Sequence, residues 1–162
     1  MKRKNLFAIL IFLAAACLFS LRAFSAAPAH DSPEGKQIVA LVDKAAALVE
    51  SKGKEAFPEL KKDKKWYNDK TYVFVDGMDG LVLVNPPSPE IEGKNLLDWK
   101  DAKGKQIVRE FIRLGKTKGS GWVDYYWPKP GEQKPSKKMS YVKKAKLPTG
   151  EEVIVGAGIY GE

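Results

Sequence analysis

Cysteine and histidine are almost absent from this 162-residue sequence. Cys17 and His30 are the only residues of their types. A chain with one cysteine forms no internal disulfide, and the sequence beyond position 30 has neither a thiolate nucleophile nor a cysteine or histidine metal ligand. His30 is predicted to be a solvated linker residue, because nothing in its local sequence would pack around it. We therefore expect no metal site and no cofactor.

Long apolar runs are also absent, except at the start of the sequence. Three basic residues at positions 2–4 precede an almost wholly apolar stretch over 6–19, and Ala23 and Ser25 place small residues at the positions that a signal peptidase reads. This pattern predicts a secretory signal peptide over 1–25. The alternative is a retained membrane anchor, although Arg22 interrupts the run before the ~20 residues that a span needs. We expect a periplasmic or secreted protein, which contacts the membrane only if this segment is retained.

A strong excess of positive charge is missing once the signal peptide is removed. The full sequence has 28 basic and 20 acidic residues, and residues 1–25 contain four of the basic ones and none of the acidic ones. The remaining 24 and 20 give a net charge of only +4, with the two signs interspersed. No nucleic-acid partner is expected from such a surface.

We predict a linker over 26–32 and one domain over 33–162, a size that supports its own core.

The hydrophobic pattern predicts an α+β domain. Ser32 and Pro33 supply a helix cap and a first helical position, and apolar residues then recur every three or four positions until Gly53. Segment 54–70 is charged and predicted to be irregular. The other predicted elements are strands over 71–75 and 81–84, a helix over about 105–118, an aromatic hairpin within 119–144 and a strand over 152–159. This order predicts a mainly antiparallel five-stranded sheet.

A short acidic and glycine-rich segment joins the first two predicted strands. Asp76, Gly77, Asp79 and Gly80 lie within it, and these residue types favour a tight turn. A calcium-binding loop is the alternative interpretation, but only two carboxylates are available and the acidic continuation of an EF-hand is missing. The sequence therefore predicts a turn here.

The aromatic stretch provides the best candidate for a cavity wall. Four of the nine residues over 119–127 are aromatic, with glycines before them and prolines after them. Such rings bury a large area while their OH and NH groups still require partners, so they suit a cavity with polar tips. The alternative is that they form sheet core only.

No catalytic residue is predicted. Without cysteine or a usable histidine, carboxylate pairs or Ser-Lys pairs remain, and the acidic residues lie mostly in turns and on helix faces, where solvation explains them. The glycines at 156 and 158 are not followed by a helix, so they do not form a phosphate-binding loop. The sequence predicts binding and not an enzyme.

Several segments resemble one known family over nearly the whole predicted domain. In chain order they are Trp66-Tyr67, Tyr72-Val73-Phe74-Val75-Asp76 with Asp79-Gly80, Asn85-Pro86, Gly93-Lys94-Asn95-Leu96, Gly119-Ser120-Gly121-Trp122-Val123-Asp124-Tyr125, Trp127-Pro128, Lys138 with Ser140-Tyr141-Val142, and Val155-Gly156-Ala157-Gly158-Ile159-Tyr160. They resemble a single Cache domain, the extracytoplasmic sensing module of bacterial chemoreceptors and sensor kinases. The resemblance implies a PAS-like fold with a long N-terminal helix on one face of the sheet. It also implies that small carboxylates or similar metabolites bind on the other face.

Two features depart from the family pattern. Family members often have His-Pro where this sequence has Asn85-Pro86, so a contact made there by an imidazole would be made by an amide, which cannot become cationic. The sequence also ends at Glu162, just past the last predicted strand, with no second membrane span and no signalling domain. We therefore expect a free-standing sensor that acts through a partner such as a membrane receptor or a sensor kinase.

The predicted ligand site combines one cation with neutral hydrogen-bond donors, because an anionic ligand in a mostly apolar pocket requires both. The candidate ligand-binding residues are Trp66, Tyr67, Tyr72, Asn85, Tyr125, Trp127, Lys138 and Tyr141. Tyr125 and Trp127 alternate onto one face of their strand, but an apolar pattern does not decide which face lines the pocket. The alternative is a core position for each ring and a solvated position for Lys138.

Three classes of function follow from these observations. The first is a sensory domain for signal transduction or chemotaxis that binds a small molecule, with a carboxylate expected. The second is a secreted structural or protein-interaction domain without a small ligand. The third, a hydrolase, is disfavoured because the sequence lacks a usable general base.

Overall fold

The computed structural model of the chain describes residues 30–161. The predicted signal peptide and residues 26–29 of the predicted linker lie outside that range. In chain order, the helices and strands are α1 (Pro33–Lys52), α2 (Phe57–Lys62), β1 (Val73–Gly77), β2 (Val82–Val84), α3 (Ile107–Lys118), β3 (Ser120–Pro128), β4 (Pro135–Lys146) and β5 (Glu152–Tyr160). Short 3-10 helices cover Gly53–Ala56 and Pro89–Ile91.

The five strands form one antiparallel sheet in the order β2-β1-β5-β4-β3. The last strand of the chain therefore lies in the middle of the sheet, between β1 and β4. The α+β fold predicted from the sequence, a long N-terminal helix on a five-stranded antiparallel sheet, is confirmed.

Helix α1 begins and ends where the local signals predict. The Ser32 side chain accepts a hydrogen bond from the Gly35 backbone N–H at 3.0 Å, and Gly53 ends the helix with a φ of 62°. One side of the helix is buried against the sheet, through residues such as Val42 and Val49. The sheet residues in the same core are Val73, Val75, Ala145, Val153, Val155 and Ala157. This core forms the rear layer of the domain.

Segment 54–70 differs from the irregular structure predicted for it. It contains the 3-10 turn and the six-residue helix α2, whose Leu60 is fully buried. After α2, Trp66 is also buried, and its indole N–H donates to a Glu59 carboxylate oxygen at 3.2 Å. A helix this short has little intrinsic stability, so burial of these side chains explains why it forms.

Helix α3 covers the opposite face of the sheet. Its buried residues include Ile107, Val108, Phe111 and Ile112, which pack with a second cluster that contains Tyr72, Phe74 and Tyr125. Every residue of β1 is buried, as expected for a strand covered on both faces.

The first hairpin differs in detail from its prediction. Asp76 is the fourth residue of β1, and the tight turn follows it, with Gly80 at a φ of 91°. Within residues 30–161, no group of three or more His, Cys, Asp or Glu side chains is placed to hold a metal ion. Across the same range, none of the helices has the length and apolar character needed to span a bilayer.

Candidate functional site

A small, partly enclosed cavity lies between the front face of the sheet and α3. It encloses about 30 Å³, which is roughly the share of liquid volume taken by one water molecule. The apolar part of its lining consists of Phe74, Val82, Ile91, Leu96, Ile107, Val108 and Phe111. The side chains with polar atoms are Tyr72, Asp76, Asn85, Trp99, Tyr125 and Trp127. A mostly apolar, enclosed space with a few polar groups is typical of a small-molecule site.

Strand periodicity explains why these residues share one face. Tyr72 directly precedes β1, and Phe74 and Asp76 follow it at intervals of two within the strand, so all three point to the same side of the sheet. In the β3–β4 hairpin, Tyr125 pairs directly with Lys138. Directly paired residues lie on the same face of a sheet, which places Lys138 on the cavity side.

Lys138 is a buried lysine whose amino group has no hydrogen-bond partner among the described residues. It is 1% exposed, and no described residue accepts a hydrogen bond from its Nζ. The Nζ atom lies 3.8 Å from the centroid of the Tyr72 ring and 4.9 Å from that of Tyr160. Burial lowers the pKa of Lys138 well below its ordinary value, whereas the ring faces favour the ammonium form. Lys138 does not line the free space itself but lies behind the Tyr72 ring that does.

Three tyrosine hydroxyls surround this end of the cavity. Tyr125 is hydrogen bonded to Ser140 at 2.9 Å, and Tyr160 donates to the Pro128 carbonyl at 2.7 Å. The Tyr72 hydroxyl has only a longer contact with Tyr160, at 3.4 Å. Burial raises the pKa of Tyr72 and of Tyr125 well above the ordinary value, and it raises the pKa of Tyr160 to about 12. All three therefore remain hydroxyl groups at neutral pH and are able to donate.

Asp76 and Asn85 lie at the other end of the cavity. Burial raises the pKa of Asp76 from 3.8 to about 7, because the carboxylate loses its hydration and gains no compensating partner. The backbone N–H of Asn85 donates to Glu92 at 2.8 Å, but the side-chain Oδ1 is buried with no donor among the described residues. This end of the cavity therefore contains one buried acceptor without a donor, the Asn85 Oδ1, beside the Asp76 carboxyl group.

Residues 85–106, which connect β2 to α3, close the cavity from the side, and we call them the cover loop. Trp99 of this loop packs edge-on against Trp127, with ring centroids 5.1 Å apart, and remains 41% exposed. Asp101 holds the loop in place, because its side chain accepts hydrogen bonds from the backbone N–H groups of Lys103, Lys105 and Tyr126. The free space beside this loop holds about one water molecule, so a larger ligand would require some of the lining residues to move.

Four of the eight residues predicted to bind ligand line the cavity, and they are Tyr72, Asn85, Tyr125 and Trp127. Lys138 lies directly behind them. Tyr67 is bridged to Tyr72 and packs at the edge of the same cluster, but it does not line the free space.

Trp66 and Tyr141 lie on the other side of the sheet, contrary to the prediction that placed them in the pocket. Trp66 packs in the core under α1. Tyr141 pairs with Trp122 across the hairpin. Its hydroxyl group donates a hydrogen bond to the Ser120 hydroxyl oxygen at 2.7 Å. The strand period explains the error, because Tyr141 is an odd number of residues from Lys138 and faces away from it. The side chain that reaches the cavity side is that of Ser140.

Some residues of the site were not predicted from the sequence, and they are Phe74, Asp76, Trp99, Phe111, Ser140 and Tyr160. The spacing of Phe74 and Asp76 at two and four residues after Tyr72 is a signal that could have identified both. Trp99 and Phe111 carry no such signal, because loop closure and helix packing bring them to the cavity.

His30 also differs from its prediction. It is exposed, but its ring stacks on Trp122 with the centroids 5.0 Å apart and the planes within 2° of parallel. The contact lies on the rear side of the sheet, where Trp122 packs against the α1 core. His30 thus anchors the start of the described chain and takes no part in the cavity.

A long helix behind an antiparallel sheet, with a small cavity under a second helix in front, defines a PAS-like α+β fold. The family model of the Cache domain matches residues 27–162. The chain belongs to the Cache family.

Known relatives agree with this assignment. Over 94 residues the chain is 30% identical to the methyl-accepting chemotaxis protein McpP of Pseudomonas putida, a match that covers 58% of this chain and 17% of that receptor. A solved periplasmic sensor domain of a chemotaxis protein is 32% identical, has a TM-score of 0.66 and aligns over 80% of this chain and 96% of its own. A Cache chemosensory domain solved to explain carboxylic acid recognition is 29% identical, with a TM-score of 0.69, over 80% of this chain and 94% of its own. These relatives are sensory proteins and not enzymes.

Proposed function

We propose that this domain senses a small carboxylate, which binds in the cavity between the sheet and α3. The observation that carries the proposal is Lys138, a buried lysine whose amino group has no hydrogen-bond partner among the described residues and lies behind the Tyr72 ring at one end of the cavity. Buried polar groups in folded proteins almost always have partners, so a buried amino group without one beside a cavity suits an anionic ligand. The recognition of carboxylic acids by a related Cache domain supports the same ligand class.

The chemistry of this end of the cavity suits a carboxylate. A carboxylate accepts several hydrogen bonds, and the Tyr72 hydroxyl is available to donate one of them. Bringing an anion close to Lys138 favours its ammonium form, which reverses the effect of burial on its pKa. An anion beside Lys138 therefore raises the pKa of its side chain relative to that in the unliganded protein. Because the free space holds only about 30 Å³, we expect a small ligand and a shift of the lining residues, the cover loop among them, when it binds.

A direct test is calorimetric titration of the protein with acetate, propionate and butanoate. The upper limit of about 1.5 kcal/mol per non-hydrogen atom gives at most about 9 kcal/mol for a ligand of about six such atoms, so the affinity is expected to be micromolar or weaker. Saturable binding of one of these acids, with matching thermal stabilisation, supports the proposal. If no carboxylate binds at millimolar concentration, the alternative of a domain without a small ligand replaces it.

Lys138→Met should reduce carboxylate affinity at least tenfold. The substitution keeps most of the length of the side chain and removes the charge, so the unliganded protein should be as stable as the parent or slightly more stable. Lys137→Met is the matched control, because Lys137 is the exposed neighbour on the same strand. Calorimetry and thermal melting of both variants provide the comparison. Equal affinities for Lys138→Met and the parent would place the anion elsewhere.

We further propose that the domain works outside the cytoplasm, has no enzymatic activity, and passes its signal to a membrane receptor or a sensor kinase. Export through a signal peptide over residues 1–25 is part of this proposal and is supported by the periplasmic location of a related sensor domain. Intact mass spectrometry of the exported protein should give the mass of a chain that begins at Ala26. Recovery of the uncleaved chain from membranes would indicate an anchored protein instead.

A further inference from the structure

We propose that the outer side of α3 binds an acidic, amphipathic helical segment of a partner protein. This inference rests on the proposed transfer of a signal to a partner. It adds the surface that the partner contacts and the chemistry of the contacting segment, and it does not depend on which ligand the cavity binds.

A groove runs along the solvent-exposed side of α3. Its volume is about 830 Å³, far more than the free space beneath the helix. Three apolar residues line it, namely Met78 of the first hairpin, Leu97 of the cover loop and Ile112 of α3. Ile112 is buried and the other two are half-buried, so they form the floor of the groove.

Exposed cations form the rim of the groove. Lys105 precedes α3 by two positions. Within the helix, Arg109, Arg113 and Lys116 are spaced by four and then three residues, which places them along one side. From the first to the last of these three, the row is about 10 Å long, or two helical turns. Among the described residues that line the groove, Glu110 is the one acid. The rim is therefore strongly basic.

The positive charge of the rim is only weakly neutralised by the domain itself. Arg109 pairs with Asp98 and Arg113 with Glu110, but both pairs are exposed to solvent. Exposed ion pairs contribute little to stability, so both arginines are able to exchange their partners for carboxylates of another chain. Lys116 forms no ion pair within residues 30–161.

The shape of the groove favours a protein segment over a membrane surface. A flat bilayer reaches the exposed cations but not the recessed apolar floor. An amphipathic helix presents apolar and acidic side chains in adjacent rows, so it satisfies the floor and the rim together. The acidic groups of the partner provide the complementary charge.

Helix α3 also lies between the groove and the cavity. Its buried residues Ile107, Val108 and Phe111 line the cavity, whereas its exposed cations line the groove. A partner bound in the groove would therefore contact the helix that covers the ligand site.

The test is a fluorescence anisotropy titration of the whole protein against a labelled amphipathic peptide. The peptide has about 14 residues, or four helical turns, with glutamates in one row and leucines in the next. It should bind saturably, and less tightly as the salt concentration rises. Peptides with glutamine in place of glutamate, or serine in place of leucine, should bind at least tenfold more weakly.

Lys116→Glu should weaken binding of the acidic peptide at least tenfold, because it reverses the charge of a rim cation. Lys118→Glu is the matched control. It makes the same change of charge in the last turn of the same helix, but Lys118 does not line the groove. The control variant should bind the peptide nearly as tightly as the parent. Thermal melting of both variants verifies that they are folded.

Three results would contradict the inference. The first is no binding of the acidic peptide at millimolar concentration. The second is equal weakening by Lys116→Glu and Lys118→Glu, which would mean attraction to the overall charge and not to the groove. The third is binding of vesicles of phosphatidylglycerol and phosphatidylcholine in preference to the peptide, with loss of that binding in Lys116→Glu. The groove would then face a membrane.

Calorimetric titration with propionate separates this inference from the proposed carboxylate site. Lys116→Glu should bind propionate as the parent does. If the parent binds carboxylates but not the peptide, only the docking surface is wrong. If it binds the peptide but no carboxylate, the docking surface stands and the carboxylate site is wrong.

Discussion

Between pH 4 and pH 8 the unliganded protein should lose about 4 kcal/mol of unfolding free energy through one residue, Asp76. Its pKa is raised from 3.8 to about 7 by burial, and 1.36 kcal/mol corresponds to one pKa unit. In this range the folded protein keeps a proton on Asp76 that the unfolded chain has released. The stabilisation that this proton provides is fully present below about pH 4, and it is lost progressively as the pH rises from about 4 to about 7.

Asp76→Asn should remove this contribution, because the amide stays neutral at every pH. The variant and the parent should have similar stabilities at pH 4, and the variant should be more stable by about 4 kcal/mol at pH 8. Urea denaturation at several pH values measures the difference directly, since the contributions of all other carboxylates cancel between the two proteins. Parallel curves for parent and variant would mean that Asp76 is solvated or paired in solution.

Gly156→Ala should both destabilise the domain and prevent ligand binding. An added Cβ at position 156 would lie 2.3 Å from the Phe74 Cζ atom, with two further ring atoms within 3 Å. The buried Phe74 ring has to move toward Phe111 and into the cavity. Overpacking of this kind costs roughly 1–3 kcal/mol, and here it also fills the small free space.

Gly161→Ala provides the control for this substitution. It lies next to the end of the same strand, and a Cβ there would meet its nearest neighbour at 3.8 Å, an ordinary contact. Thermal melting and calorimetry should show a normal protein. If Gly156→Ala bound carboxylates normally, the ligand site would not be the space beside Phe74.

Local signals in the sequence predicted the elements that depend on local interactions. The cap at Ser32, the proline after it and the glycine at 53 define α1 without reference to the rest of the fold. Helix α2 has a proline, Pro58, in its first turn but no side-chain cap. It exists because Leu60 and the nearby Trp66 are buried by distant parts of the chain, which a pattern of charges and isolated apolar residues does not reveal.

The candidate site was harder to predict than the fold, because it depends on strand register and loop closure. Alternation along β4 left open whether Lys138 and Ser140 or Tyr141 face the cavity. In the structure, Ser140 faces the cavity, because its hydroxyl is hydrogen bonded to the cavity residue Tyr125. Gly158, which pairs with Ser140, leaves room for that hydroxyl, since a Cβ on Gly158 would lie 2.1 Å from its oxygen. Asp76 was assigned to a turn because of the glycines beside it, although its spacing from Tyr72 fits the strand.

The Asp101 contact has a consequence for the behaviour of the protein in solution. Strand β3 is an outer strand of the sheet, and outer strands with free backbone groups and many aromatic residues tend to pair with other chains. The Asp101 carboxylate accepts a hydrogen bond from the outward-facing backbone N–H of Tyr126. On the same edge, the Lys105 side chain donates a hydrogen bond to the backbone carbonyl of Asp124. When the cover loop opens to exchange ligand, these backbone groups lose their partners. In such an open form, the edge of β3 would be the part of the described sheet most prone to pair with another chain.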